Sequence, residues 1–277
     1  MERFSYKSHE EYVQAQLNRT ETAWFCGRRL PHHMRYINEL LKCLINLNWP
    51  LPQEPCIVCM GVRRGIELIA WEWKGYRNVV GTDLSTRHDH PKMITADFSH
   101  LESVFPKQSV DIIYACHSFE HTFDPEATAR EWRRILKPNG VVWISLPTTL
   151  GKRYQPNEVH PVVIHQVADL ENLFNPLRAV WVTTEGFPKG GVNINVVLLD
   201  PSQRGPASSR NLRRDLRRRV RKGVRLSRLV RRLSRMLKQW NGPDQDYEVE
   251  ICLWMERLRG FLSGRDKVSL PTGVRPH

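Results

Sequence analysis

Acidic residues are almost missing from one part of this sequence and balanced elsewhere. Residues 204–240 hold 15 Lys and Arg against a single acid, Asp215. Residues 1–203 hold 22 of each sign, and 241–277 hold 5 basic and 6 acidic residues. The net charge of +13 therefore belongs to one segment and not to the body of the chain. No apolar run approaches the ~18 residues of a membrane-spanning helix. No apolar leader follows Met1-Glu2-Arg3-Phe4-Ser5, so no secretory signal is expected. The six cysteines (Cys26, Cys43, Cys56, Cys59, Cys116, Cys252) form no framework, which excludes a disulfide-stapled domain and points to a reducing, cytoplasmic setting. Cys56 and Cys59 lie in an apolar run expected to be a strand. Residues three apart on a strand face opposite sides, so a buried apolar pair is expected and not a redox or zinc site. No internal repeat is visible. Hydrophobic content of 40% is enough for a core and excludes global disorder.

The stretch that organises the chain runs from Pro55 to Ser85. Cys56 to Met60 has the length of a buried strand. Gly61-Val62-Arg63-Arg64-Gly65 is a glycine turn, and Ile66 to Trp73 reads as a helix with Ile66, Ile69, Ala70 and Trp73 on one face. Val79 to Thr82 is a second strand with Asp83 at its end. Strand, glycine turn, helix, strand and acid suit a nucleoside. The glycines let a ligand approach the backbone, and the acid accepts hydrogen bonds from ribose hydroxyls. The G-x-G-x-x-G pattern of dinucleotide sites is absent, and Arg63 stands where a pyrophosphate needs close packing.

Around this unit, residues 8–19 and 31–47 read as helices that pack on the sheet edge or lid the site. Met34, Ile37, Leu40, Leu41 and Leu44 recur at helical spacing. Further strands are expected at 93–95, 110–115, 141–146, 179–184 and 193–199. A helix opens at Asp124-Pro125-Glu126 and stops at Lys137-Pro138-Asn139-Gly140, and 159–174 reads as helical. Repeated strand–helix alternation gives an α/β, doubly wound, mostly parallel seven-stranded sheet, closed by an antiparallel hairpin. Pro201 to Ser209 is a linker by composition. The expected organisation is a helical extension over 1–50, a core domain over 51–203 and a basic helical extension over 204–277.

Residues 55–147 resemble class I S-adenosylmethionine-dependent methyltransferases, especially the small-molecule "type 11" branch. The resemblance rests on Gly61 to Gly65, Gly81-Thr82-Asp83-Leu84, Thr95-Ala96-Asp97-Phe98 and the block from Val110 to Pro147, which contains His117-Ser118-Phe119-Glu120-His121. It implies S-adenosyl-L-methionine as cofactor, held by Gly61, Arg63, Gly65, Asp83, Asp97, Phe98 and His117. Asp83 takes the ribose and Asp97 the adenine amine in that reading. The family's acid at the end of the first strand and its second loop glycine are missing, replaced by Cys59 and Arg63. An arginine beside the methionine carboxylate is expected to compensate through a charge-assisted pair.

A hydroxyl acceptor needs a base, and His121 is the candidate at the mouth of the fourth strand, with His160 and His165 as second candidates. A turn residue packing on the cofactor's ring is the bland alternative for His121. His117 to His121 also spells H-x-x-E-H, a zinc-peptidase pattern, but only a turn is available there, so no metal is expected. No Asn/Asp-Pro-Pro-Tyr/Phe follows the fourth strand, which disfavours DNA base amines as substrates. The expected function is O-methylation of a small molecule, a saccharide or a lipid-linked precursor. A nucleic-acid methyltransferase anchored by the basic segment, and a noncatalytic binding module, are the rivals. Residues 210–238 repeat Leu212, Leu216, Val220, Val224, Leu229, Leu233 and Leu237 among their arginines. Such a helix suits an anionic membrane surface. Stacking aromatics, which nucleic-acid binding would use, are nearly absent. A dimer through the apolar stripe is a further option.

Overall fold

A computed structural model describes residues 1–22, 30–85, 90–148, 156–157, 160–186, 192–203 and 214–221. Two N-terminal helices, α1 (His9–Thr22) and α2 (Leu30–Asn46), precede β2 (Ile57–Met60), α3 (Ile66–Trp73), β3 (Val79–Asp83), β4 (Met93–Thr95) and β5 (Val110–Cys116). Then come α4 (Pro125–Ile135), β6 (Leu136–Thr148), β7 (Val162–Val163), α5 (Val167–Leu173), β8 (Arg178–Gly186) and β9 (Val192–Leu199). A short β1 (Glu2–Arg3) opens the chain.

The seven-stranded sheet runs in the order β4-β3-β2-β5-β6-β9-β8. Neighbours from β4 to β6 pair in parallel, and β9 and β8 close one edge as an antiparallel hairpin. This is the expected doubly wound arrangement. Side chains alternate across it as strand geometry requires. Ile57 and Cys59 enter the core under α2 and α3, while Cys56, Val58 and Met60 enter the opposite core under α4 and α5. The cysteine pair is thus split between two faces. The stripe expected on α2 is buried, with Met34, Ile37, Leu40, Leu41 and Leu44 all at 0% exposure.

Two segments depart from expectation. The stretch 159–174 is not one helix. Val162 and Val163 pair antiparallel with Arg3 and Glu2, and the helix starts only at Val167, where Gln166 and Asp169 form a capping box. Three successive β-branched residues, Val162 to Ile164, favour the extended form once a strand partner arrives from the other end of the chain. At the other segment, α4 ends at Ile135, and Leu136 already pairs with Val110. Lys137 to Gly140 bulge out before Val141 takes up register with Ile112.

Of the basic extension, only 214–221 lies within the described residues, and it is helical. Leu216, 3% exposed, packs into the core beneath α2 and α3, and Val220 packs beside it. The Arg219 guanidinium donates to the Gly75 carbonyl at 2.6 Å and to Asp215 at 2.6 Å, and lies 4.2 Å over the Tyr76 ring. The rest of the 210–238 stripe and of the extension expected over 204–277, and residues 187–191 of the closing hairpin, lie outside the described residues. No helix among the described residues is long and apolar enough to cross a membrane.

Candidate active site

The site sits at the C-terminal ends of β2, β3 and β5, where a doubly wound sheet opens its crevice. The chain leaves β2 through a turn that needs left-handed backbone three times, at Gly61 (φ 65°), Arg63 (φ 47°) and Gly65 (φ 73°). A Cβ on Gly61 would lie 2.8 Å from the Ser118 Cβ, so glycine keeps the turn against the loop after β5. Arg63 holds the same backbone region at a cost of about 1–2 kcal/mol for a residue with a Cβ. Its N–H gains a charged partner in return, donating to Asp83 Oδ2 at 2.7 Å, while the Ser85 N–H donates to Asp83 Oδ1 at 3.0 Å. Asp83 therefore ties the glycine turn to the end of β3.

Two cavities flank this turn. The larger, open to solvent on one side, is bounded by Gly61, Arg63, Asp83, Leu84, Phe98, His117, Ser118 and His121, and by Tyr12 and Gln16 from α1. Six of the residues singled out in the sequence meet there: Gly61, Arg63, Asp83, Phe98, His117 and His121. Gly65 shapes the turn from behind, packed against His90. Asp97 is not on this wall. Its Oδ2 lies 2.8 Å from His9 Nε2, and its Oδ1 accepts from the Ser99 N–H at 2.8 Å and hydroxyl at 2.5 Å. The carboxylate expected near adenine is engaged in pinning α1 over the cavity.

The smaller cavity shares Gly61, Arg63 and His117 with the first and adds His33, Arg64, Glu67 and Cys116. Glu67, 7% exposed, projects from the first turn of α3. Its Oε1 is 3.3 Å from His33 Nε2, and His33 Nδ1 shares a hydrogen bond with the Tyr114 hydroxyl at 3.0 Å. Cys59, at the end of β2, is fully buried. Burial pushes its thiol well above the usual range, and the charge of Glu67 adds to the shift.

Beyond β5 the chain makes one 3-10 turn, Phe119–His121. The H-x-x-E-H pattern thus sits on a strand end and a turn, not on a helix. His117 has left-handed backbone (φ 54°), and the Asn193 amide donates to its Nε2 at 3.0 Å. His117 Nδ1 and His121 Nε2 approach Glu120 Oε1 at 3.5 and 3.8 Å. His121 stacks on His160 with centroids 4.8 Å apart. Burial alone would push the Glu120 carboxyl up. The hydrogen bond from His117 and the charges of His121, His117 and His160 outweigh it and hold that carboxyl at about 2. Two groups among the described residues bring ligating atoms within cation-holding range: Glu120 with His121 and His160, and His9 with Asp97 and His100.

Tyr12, Gln16, His33, Glu67 and Ser118 were not singled out in the sequence. For the first three no local signal exists, because they reach the site from α1 and α2 across the fold. Glu67 carried a signal, being the first acid after the glycine turn.

Residues 58–144 match a family of proteins described as "Methyltransferase domain". A stretch of 128 residues is 30% identical to malonyl-[acyl-carrier protein] O-methyltransferase 1 of Coxiella burnetii. That match covers 42% of this chain and 44% of the relative, so the chain spans less than half of the relative's length. The fold is similar to that of the Burkholderia thailandensis 1,6-didemethyltoxoflavin-N1-methyltransferase with bound 1,6-didemethyltoxoflavin and S-adenosylhomocysteine. The TM-score is 0.53 at 16% identity, over 70% of this chain and 91% of that one.

Proposed function

Because the chain carries a class I methyltransferase domain, whose cofactor is S-adenosylmethionine, we propose that it methylates an oxygen atom of a small molecule, a saccharide or a lipid-linked precursor. The observation that carries this reading is His121, which faces the larger cavity with the ionised Glu120 carboxylate behind it. The described residues also fit the cofactor. Ser118 Oγ is buried on the same wall with no hydrogen-bond partner among the described residues, and the Gly61 backbone faces the same cavity. When bound, S-adenosylmethionine supplies an electrophilic methyl group. Asp83 accepts from the ribose hydroxyls with the lone pairs its two backbone bonds leave over. Phe98 and Leu84 offer apolar wall to the adenine, and the Arg63 guanidinium takes the methionine carboxylate. His121 takes the proton from the acceptor hydroxyl, and Glu120 stabilises the imidazolium that forms. The relative from Coxiella burnetii is named as an O-methyltransferase, which supports oxygen as the acceptor atom.

The test is calorimetric titration of S-adenosylhomocysteine, followed by transfer of labelled methyl to panels of hydroxyl and carboxylate acceptors, amines and RNA. Label on oxygen supports the proposal. Label on RNA alone favours the nucleic-acid rival, and no binding of the cofactor product favours the noncatalytic module.

The same proposal places the enzyme in the cytoplasm, peripheral to an anionic membrane through 210–238. Within 214–221 the stripe residues Leu216 and Val220 face the domain, while Arg214, Arg217, Arg218 and Arg221 are exposed. That outward face is charged, and each basic residue near an anionic surface contributes about 1 kcal/mol. Co-sedimentation of the full chain with anionic but not neutral vesicles, weakened by salt, is the expected result. Steeply salt-dependent binding to RNA instead would overturn it.

A further inference from the structure

We propose that Glu67 supplies the negative charge that faces the ammonium of the cofactor's amino-acid end. The inference rests on the methyltransferase reading and concerns which residue of this chain completes it. An ammonium taken from water into a buried crevice needs a negative partner, or its desolvation is uncompensated. The position at the end of β2 offers none. Cys59 is fully buried, and its thiol stays protonated because burial raises it well above the usual range.

The two cavities divide the required charges between them. Both lie against the glycine turn and share Gly61, Arg63 and His117 as wall. Asp83 is the acid on the wall of the larger cavity and Glu67 the acid on the wall of the smaller. The smaller wall also carries Arg63 and Arg64. One acid and two arginines on the wall of a small crevice suit a zwitterion that presents both an ammonium and a carboxylate. A nucleoside has no use for such a wall.

The placement of Glu67 substitutes for the missing acid at Cys59. Its carboxylate lies near enough to Cys59 for its charge to help raise that thiol. It stands in the first turn of α3, where the helix dipole favours a negative charge. His33, hydrogen-bonded to Tyr114, approaches one of its oxygens at 3.3 Å. An acid from the helix thus replaces an acid from the strand.

The experiment compares three ligands on wild type, Glu67→Gln and Asp83→Asn by calorimetry. S-adenosylhomocysteine has both charges. Its decarboxylated analogue keeps only the amine, and 5′-methylthioadenosine lacks the amino-acid end. Glu67→Gln is expected to weaken the first two by at least about tenfold and to leave methylthioadenosine unchanged, which also shows that the variant is folded. Asp83→Asn is expected to weaken all three. Equal weakening of all three ligands by Glu67→Gln would show a structural role only, and unchanged affinity for S-adenosylhomocysteine would show none. Either outcome overturns the proposal while leaving the methyltransferase reading intact. If wild type binds none of the three, the cofactor reading fails and this proposal fails with it.

Discussion

Asp83→Ala removes more than a contact to a ligand. The side chain is 6% exposed, and its two oxygens accept the backbone N–H groups of Arg63 at 2.7 Å and Ser85 at 3.0 Å. Hydrogen bonds to a charged acceptor contribute about 1.5–3 kcal/mol each. The Ser85 N–H belongs to a half-buried residue that water reaches, so its loss falls at the low end. The sum is about 3–4.5 kcal/mol, a large part of the ~5–15 kcal/mol that holds a domain together. Arg63 sits at φ 47°, and without its partner the strain there has no compensation, so the turn relaxes and the ligand surface goes with it. Urea denaturation followed by tryptophan fluorescence should show a midpoint lowered by roughly 1–2 M at ordinary slopes. Affinity for S-adenosylhomocysteine, titrated well below the transition, should fall at least about tenfold. Asp83→Asn keeps one acceptor oxygen and should lie between. A midpoint within about 0.3 M of wild type would refute the claim that Asp83 holds the turn. Unchanged affinity would remove it from the ribose.

Four further outcomes are expected. Arg63→Gly should hold or raise stability by about 1 kcal/mol by relieving the left-handed backbone, yet weaken S-adenosylhomocysteine at least about tenfold. Tighter binding would show that the guanidinium is only tolerated. His121→Ala should cut turnover about a hundredfold or more with little change in cofactor affinity, whereas collapse of affinity in a titration would make it a packing residue. The Glu120 carboxyl, at about 2 in the folded chain, lies below its unfolded value of about 4.3, so the unfolded chain binds more protons between them. Its stabilisation is full above the unfolded value and lost as pH falls through that window, and denaturation midpoints of Glu120→Gln should fall less steeply there. Lys74, 1% exposed, is lowered to about 7 by burial, against about 10.4 unfolded. The unfolded chain again binds more protons, stability rises with pH across that interval, and Lys74→Met should remove the rise.

The sheet was legible because its strands are short apolar runs punctuated by glycine, proline and capping acids, all of them local signals. Asp83 was legible for the same reason, since its place follows from the strand before it. Asp97 was legible as a position only. Its engagement by His9 depends on where α1 lands, and nothing near Asp97 encodes that. Val162 and Val163 were misjudged because their partner lies at Glu2 and Arg3, and pairing across such a distance leaves no periodicity in either segment. The charge count of the basic segment was right in number. It did not reveal that Leu216 and Arg219 are bound to the domain.

The pairing of Glu2 with Val163 sets an order of assembly. The five parallel strands lie between Ile57 and Thr148, and the most distant of their pairings, Ile57 with Ile112, is far closer in the chain than Glu2 with Val163. Anchoring β1, and with it the approach to Tyr12 and Gln16, requires closing a loop of about 160 residues, an entropic cost that only late contacts repay. During synthesis the glycine turn and Asp83 are complete before Val162 has left the ribosome. A nascent chain paused there carries the floor of the cavity with α1 held by the His9–Asp97 contact, and β1 is tied down only after the last parallel strand is in place.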